Sequence, residues 1–82
     1  MSVVNMTTKP DQVVDVRGKS CPMPILLTRE KLKSMNCGEI LEVVEDFPQA
    51  KDNILRFVEQ AGNEILNVFE EENVYHIFIR RK

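Results

Sequence analysis

Residues 13–35 read VVDVRGKSCPMPILLTREKLKSM, and this stretch decides the fold. Val13, Val14 and Val16 form a short β-branched run that stops at Gly18, which predicts a strand delivering the chain into a tight turn. From Pro22 or Pro24 to Met35 the residues are helix formers, with Ile25, Thr28, Leu32 and Met35 at helical spacing. Asn36-Cys37-Gly38 follows, and a glycine there suits the left-handed backbone that closes a helix.

Working outward, Glu39–Glu45 (EILEVVE) predicts a second strand. Asp46 is the expected N-cap of a second helix, with Pro48 in its first turn. Ala50, Ile54, Phe57, Val58 and Ala61 share one face before Gly62 stops it. Two further strands are expected at Glu64–Glu70 and Val74–Arg80, joined by a turn at Glu71-Glu72-Asn73. The order β-α-β-α-β-β implies an α/β (α+β) two-layer sandwich, a four-stranded mixed sheet with two helices on one face. One-sided cover leaves a second sheet face, yet Ile40 and Val44 alternate with Leu41 and Val43, and Phe78 with Ile77 and Ile79. The outward set reads as ordinary exposed apolar residues rather than a docking surface.

The 82 residues allow one modest core, since a chain this short buries roughly 60% of its unfolded surface. Residues 1–10, ending in Lys9-Pro10, read as a flexible N-terminal arm, and residues 11–82 as a single domain. The net charge of −2 gives no global attraction to nucleic acid. No apolar run spans a bilayer and no leader-like segment opens the chain, so a cytoplasmic protein is expected. Cys21 and Cys37, with His76 as the single histidine, are too few for a disulfide scaffold or a structural zinc site. No metal and no cofactor is therefore expected.

Cys21 is the candidate chemical residue. A helix N-terminus presents unpaired N–H groups and the positive end of the macrodipole, which favour a thiolate over a thiol. Arg17 and Lys19 add positive charge in the same turn, and Arg29 completes an expected basic rim. Pro22 and Pro24 stiffen the backbone around the cysteine more than a simple helix start requires. Cys37 lies past the other end of this helix, whose roughly 14 residues at about 1.5 Å each put the two thiols some 20 Å apart, too far for a disulfide between them. It reads as a bystander at the end of the first helix, and His76 as a strand residue without a role. A proline also stands where a thioredoxin-type redox motif needs its second cysteine.

The run D-V-R-G-K-S-C-P-M-P-I-L, with G-E-I-L-E-V, an acidic-Pro helix start and A-G-N-E-I-L, resembles the TusA/SirA family of small sulfur carriers over residues 12 to 80. The resemblance implies the same β-α-β-α-β-β fold and a cysteine that carries persulfide sulfur between proteins. By position, Cys21 is the persulfide-bearing residue, Pro22 and Pro24 the motif prolines, Gly18 the turn glycine and Asp15 the strand-end aspartate. Lys19 stands where many members have leucine, and Asn63 follows Gly62 where a histidine is common. The implied partners are a sulfur donor protein, a desulfurase or another persulfide carrier, and a sulfur acceptor protein, with no membrane and no direct nucleic acid. The implied chemistry is that of a sulfurtransferase-type carrier acting through a cysteine persulfide. The alternative is a non-catalytic regulatory or RNA-associated module that uses the open sheet face.

Overall fold

The computed structural model describes residues 9–82, so the expected arm over residues 1–10 lies almost wholly outside the described residues. The elements run β1 (Gln12–Asp15), α1 (Met23–Lys33), β2 (Ile40–Glu45), α2 (Pro48–Gln60), β3 (Glu64–Glu71) and β4 (Val74–Arg80). The sheet order is β1-β2-β4-β3. β1 and β2 are parallel, and β4 runs antiparallel to both β2 and β3. The β2-α2-β3 crossover therefore leaves one empty strand position, and the β3–β4 hairpin folds β4 back into it. This is the expected two-layer, mixed-sheet α+β fold.

The core sits between the helices and one sheet face. Leu41, Val43, Ile77 and Ile79 meet Ile54 and Val58 of α2 and Leu32 of α1, all buried, and Val16 and Met35 close the ends. Thr28 is buried too, and its hydroxyl donates to the Pro24 carbonyl at 2.8 Å, which satisfies the one polar side-chain atom that α1 turns inward.

Four local expectations are corrected. Helix α1 ends at Lys33 with Ser34 as its C-cap, so Met35 is a core residue outside the helix, and Gly38 (φ +89°) serves a later turn. There its N–H donates to the Arg81 carbonyl at 2.6 Å, tying the turn to the C-terminal segment. Cys37 accordingly lies in that turn and not on the helix. Ala61 is the exposed C-cap of α2 and leaves the apolar stripe of that helix. The N-cap of α2 is Phe47, not Asp46, and no side chain caps the helix; the Glu45 carboxyl accepts the Asp46 and Phe47 amides just before it.

The hairpin loop is two residues long, since Glu71 pairs with Val74, and both Glu72 (φ +52°) and Asn73 (φ +66°) are left-handed. Positive φ at both central positions is the twist-matched hairpin turn, in which asparagine and glycine are favoured and glutamate is not. Glu72→Asn is therefore expected to stabilise the protein by about 0.5 kcal/mol, read as a rise in the urea midpoint at constant slope. An unchanged or lower midpoint would show that the turn tolerates glutamate at no cost.

The outward face is covered by its own side chains. Phe69 stacks on His76 (4.9 Å between ring centroids) and on Phe78 (6.0 Å), and His76 Nδ1 lies 2.7 Å from a Glu42 carboxylate oxygen. Phe78 is thereby left only 9% exposed, with no second layer above it among the described residues. His76, which carries no role in the sequence reading, is a cross-strand packing residue here.

Candidate functional site

At the carboxyl ends of β1 and β2 two loops run side by side. One leads from β1 into α1 and carries the Cys-Pro-x-Pro run; the other leads from β2 into α2. Parallel strands that each feed a helix put both helix starts at the same end of the sheet. Between the loops lies a cavity of about 330 Å³ lined by Lys19, Ser20, Cys21, Pro22, Pro24 and Ile25 from the first loop and helix, and by Phe47, Gln49, Ala50 and Asn53 from the second.

Cys21 is exposed and its thiol is free. Helix α1 begins at Met23 with Pro22 as N-cap and Pro24 at its second position, so both prolines occupy places where a helix has no use for their missing N–H. The Cys21–Pro22 peptide bond is cis. Pro24 is buried and Pro22 exposed, and both wall the cavity.

The turn before the cysteine is held from both sides. The Asp15 carboxylate accepts the Arg17 backbone N–H at 3.1 Å and its guanidinium at 3.0 and 2.8 Å. The Arg17 hydrogen bonds hold the Asp15 carboxyl below its usual range. Gly18 has φ +73°, a left-handed conformation that glycine adopts without steric cost, and its N–H donates to Asp46 Oδ1 at 3.4 Å. Asp15, Gly18 and Arg17 thus shape the turn, while Lys19 is the one cation among the described residues that lines the cavity with Cys21.

The expected basic rim is smaller than the sequence suggested. Arg17 spends its charge on Asp15. Arg29 lies at the opposite end of the helices, in a cleft it shares with Lys33, Arg81 and Lys82. Cys37 belongs to that far region as well: its thiol donates to the Lys82 carbonyl at 3.7 Å and lies 3.8 Å from the Arg81 guanidinium. Among the described residues no group of three or more His, Cys, Asp or Glu side chains could hold a metal ion. No helix among them is long and apolar enough to cross a membrane.

Glu45 is the residue that the sequence reading passed over. Glu45 is 0% exposed; Oε2 accepts the N–H groups of Asp46 (3.0 Å) and Phe47 (3.1 Å), and Oε1 has no hydrogen-bond partner among the described residues. The signal was present in the strand itself, because Leu41, Val43 and Glu45 occupy one alternation and the third position breaks an apolar series. Burial pushes the Glu45 carboxyl above the usual glutamate value of 4.5, partly opposed by the two amide hydrogen bonds. An acid whose pKa is raised by folding binds its proton more tightly in the folded state. Its stabilising effect is full below pH 4.5 and declines as pH rises through the window above that value. Glu45→Gln removes the ionisation, so the stability difference is expected to move in favour of the variant between pH 4 and pH 7, as urea unfolding at each pH measures. A difference that stays flat with pH would show that Glu45 does not titrate out of its ordinary range.

A family model described as Sulfurtransferase TusA matches residues 12–81. A relative from Methanocaldococcus jannaschii, described as a candidate sulfur carrier protein, is 41% identical over 68 residues, which is 83% of this chain and 91% of the relative. A sulfur carrier protein TusA from Allochromatium vinosum is 34% identical over 71 residues, 87% of this chain and 93% of that one. The crystal structure of a SirA-like protein from Desulfitobacterium hafniense superposes with a TM-score of 0.69 at 22% identity, covering 84% of this chain and 95% of the other. At that identity the superposition speaks to the fold alone.

Proposed function

This chain belongs to the TusA family of sulfur carrier proteins, and on that premise we propose that Cys21 is the residue on which it carries sulfur. The observation that supports the reading is a free, exposed thiol at the mouth of a cavity between two loops. A carried sulfur atom must be reached by two different proteins in turn, and a buried cysteine serves neither.

The exchange needs only a thiolate. Cys21 Sγ attacks the outer sulfur of a donor persulfide, a new S–S bond forms at Cys21, the donor S–S bond breaks and the donor leaves as a thiolate. The outer sulfur keeps its proton, so no external oxidant or reductant enters. Delivery is the same step in reverse, with an acceptor thiolate attacking the outer sulfur of the Cys21 persulfide. Lys19 supports the anionic forms, Asp15, Arg17 and Gly18 hold the turn before the cysteine, and Pro22 and Pro24 fix the backbone after it. The partners are a persulfide donor protein and a sulfur acceptor protein, met in the cytoplasm, with residues 11–82 acting as one carrier domain.

Incubation with inorganic polysulfide or a cysteine desulfurase tests this, with the adduct mapped on proteolytic peptides. The expected result is a reducible increment of about 32 Da on the peptide that holds Cys21. An increment confined to the Cys37 peptide overturns the assignment.

A further inference from the structure

We infer that Glu45 is a positioning residue for the cysteine site, acting from beneath the cavity through the backbone it holds; the inference rests on Cys21 being the sulfur-bearing residue proposed above. A strand that buries Leu41 and Val43 on the core face offers its next inward position, 45, to a third hydrophobe. Glutamate there is a poor choice for stability alone, because a fully buried carboxyl with one unpartnered oxygen forfeits solvation that a leucine never had to lose. Positions that break a local rule in this way are expected where a site is being shaped.

What the carboxyl does locally is bend the chain. Oε2 takes the next two backbone N–H groups, of Asp46 and Phe47, and so turns the strand out of the sheet within two residues. Two consequences reach the cysteine. Phe47, 57% exposed as a residue, is held in an extended conformation (φ −115°, ψ 120°) as one wall of the cavity that Cys21 opens into. Asp46, whose own amide Glu45 holds and which does not cap the helix, turns its carboxylate to the Gly18 N–H, three residues before Cys21. The chain of contacts runs from Glu45 to the Asp46 and Phe47 amides, and from there to both sides of the cavity.

The test uses a leucine and a glutamine at position 45. Glu45→Leu fills the buried volume without an acceptor, whereas Glu45→Gln keeps an acceptor oxygen for the two amides. The probe is an aromatic disulfide, dithiobis(nitrobenzoate); exchange releases one thionitrobenzoate per thiol. Cys21 is read on a Cys37→Ser background and Cys37 on a Cys21→Ser background. Glu45→Leu is expected to keep the folded far-UV spectrum, to slow Cys21 by about fivefold and to leave Cys37 unaffected, while Glu45→Gln keeps the parent rate. A general loosening of the fold changes both exposed cysteines, whereas lost positioning slows Cys21 alone and is rescued by the acceptor in Glu45→Gln.

The inference is overturned if Cys21 in Glu45→Leu reacts at the parent rate or faster, or if Glu45→Gln is slowed as much. Should Glu45→Leu fail to fold, Asp46→Ala decides: it severs the link to Gly18 from an exposed position and is expected to slow Cys21 alone, and a parent rate there overturns the inference. If polysulfide fails to load Cys21 in the parent protein, the carrier reading falls instead, independently of the exchange rates.

Discussion

Cys21→Ser is expected to carry no sulfur. Exposed to a persulfide donor, the parent protein gains a reducible increment of about 32 Da, and the serine variant stays at its unmodified mass. The effect is all-or-none for a chemical reason. The attacking species is a thiolate, a serine hydroxyl is not ionised near neutral pH, and its oxygen forms no persulfide. Both cysteines are exposed, so Cys37→Ser is the necessary companion. That variant is expected to load like the parent, because Cys37 lies in the turn beside Arg81 and Lys82 and lines no part of the cavity. An adduct that survives Cys21→Ser and disappears in Cys37→Ser would move the carrier role to the other thiol. Circular dichroism of both variants guards against loss of fold, and little is expected at either exposed position.

Ile77→Ala carries the second large effect, on stability. Ile77 is fully buried on β4, the strand that pairs with both β2 and β3, and it faces the helices. Truncating a buried isoleucine to alanine costs about 2–5 kcal/mol, from lost transfer energy and from the cavity left behind. Domains of this size hold only about 5–15 kcal/mol in total, so the variant is expected to lose much of its stability, with a fall in melting temperature of at least about 10 °C. Urea unfolding with an unchanged slope is the check. A loss below about 1 kcal/mol would mean that the surrounding core collapses onto the gap.

Much of this architecture is legible from pattern alone. Alternating strand residues, helical spacing and the glycines at 18, 38 and 62 place all six elements in order. The errors fall at element ends, where the deciding contacts come from distant residues. Helix α1 stops at Lys33 although helix formers continue, and Gly38 is tied to Arg81, more than forty residues away in sequence. Asp46 has the composition of an N-cap, yet the helix starts one residue later and its carboxylate meets the Gly18 N–H, 28 residues away in sequence. Arg29 looked close to Cys21 in sequence, yet the helix carries it to the far end of the molecule.

The site divides the same way. Cys21, its prolines and the turn glycine were readable because their constraints are local: a thiol, two fixed φ angles and one left-handed residue within seven positions. Sequence by itself therefore determined the element order, the family and the cysteine worth testing. Tertiary structure alone decided that the second wall of the cavity comes from Phe47, Gln49, Ala50 and Asn53, that Arg17 spends its charge on Asp15, and that a buried Glu45 holds the loop between. These depend on parallel pairing of β1 with β2, which brings two helix starts to one end of the sheet, and pairing between strands some thirty residues apart leaves no local mark in a sequence.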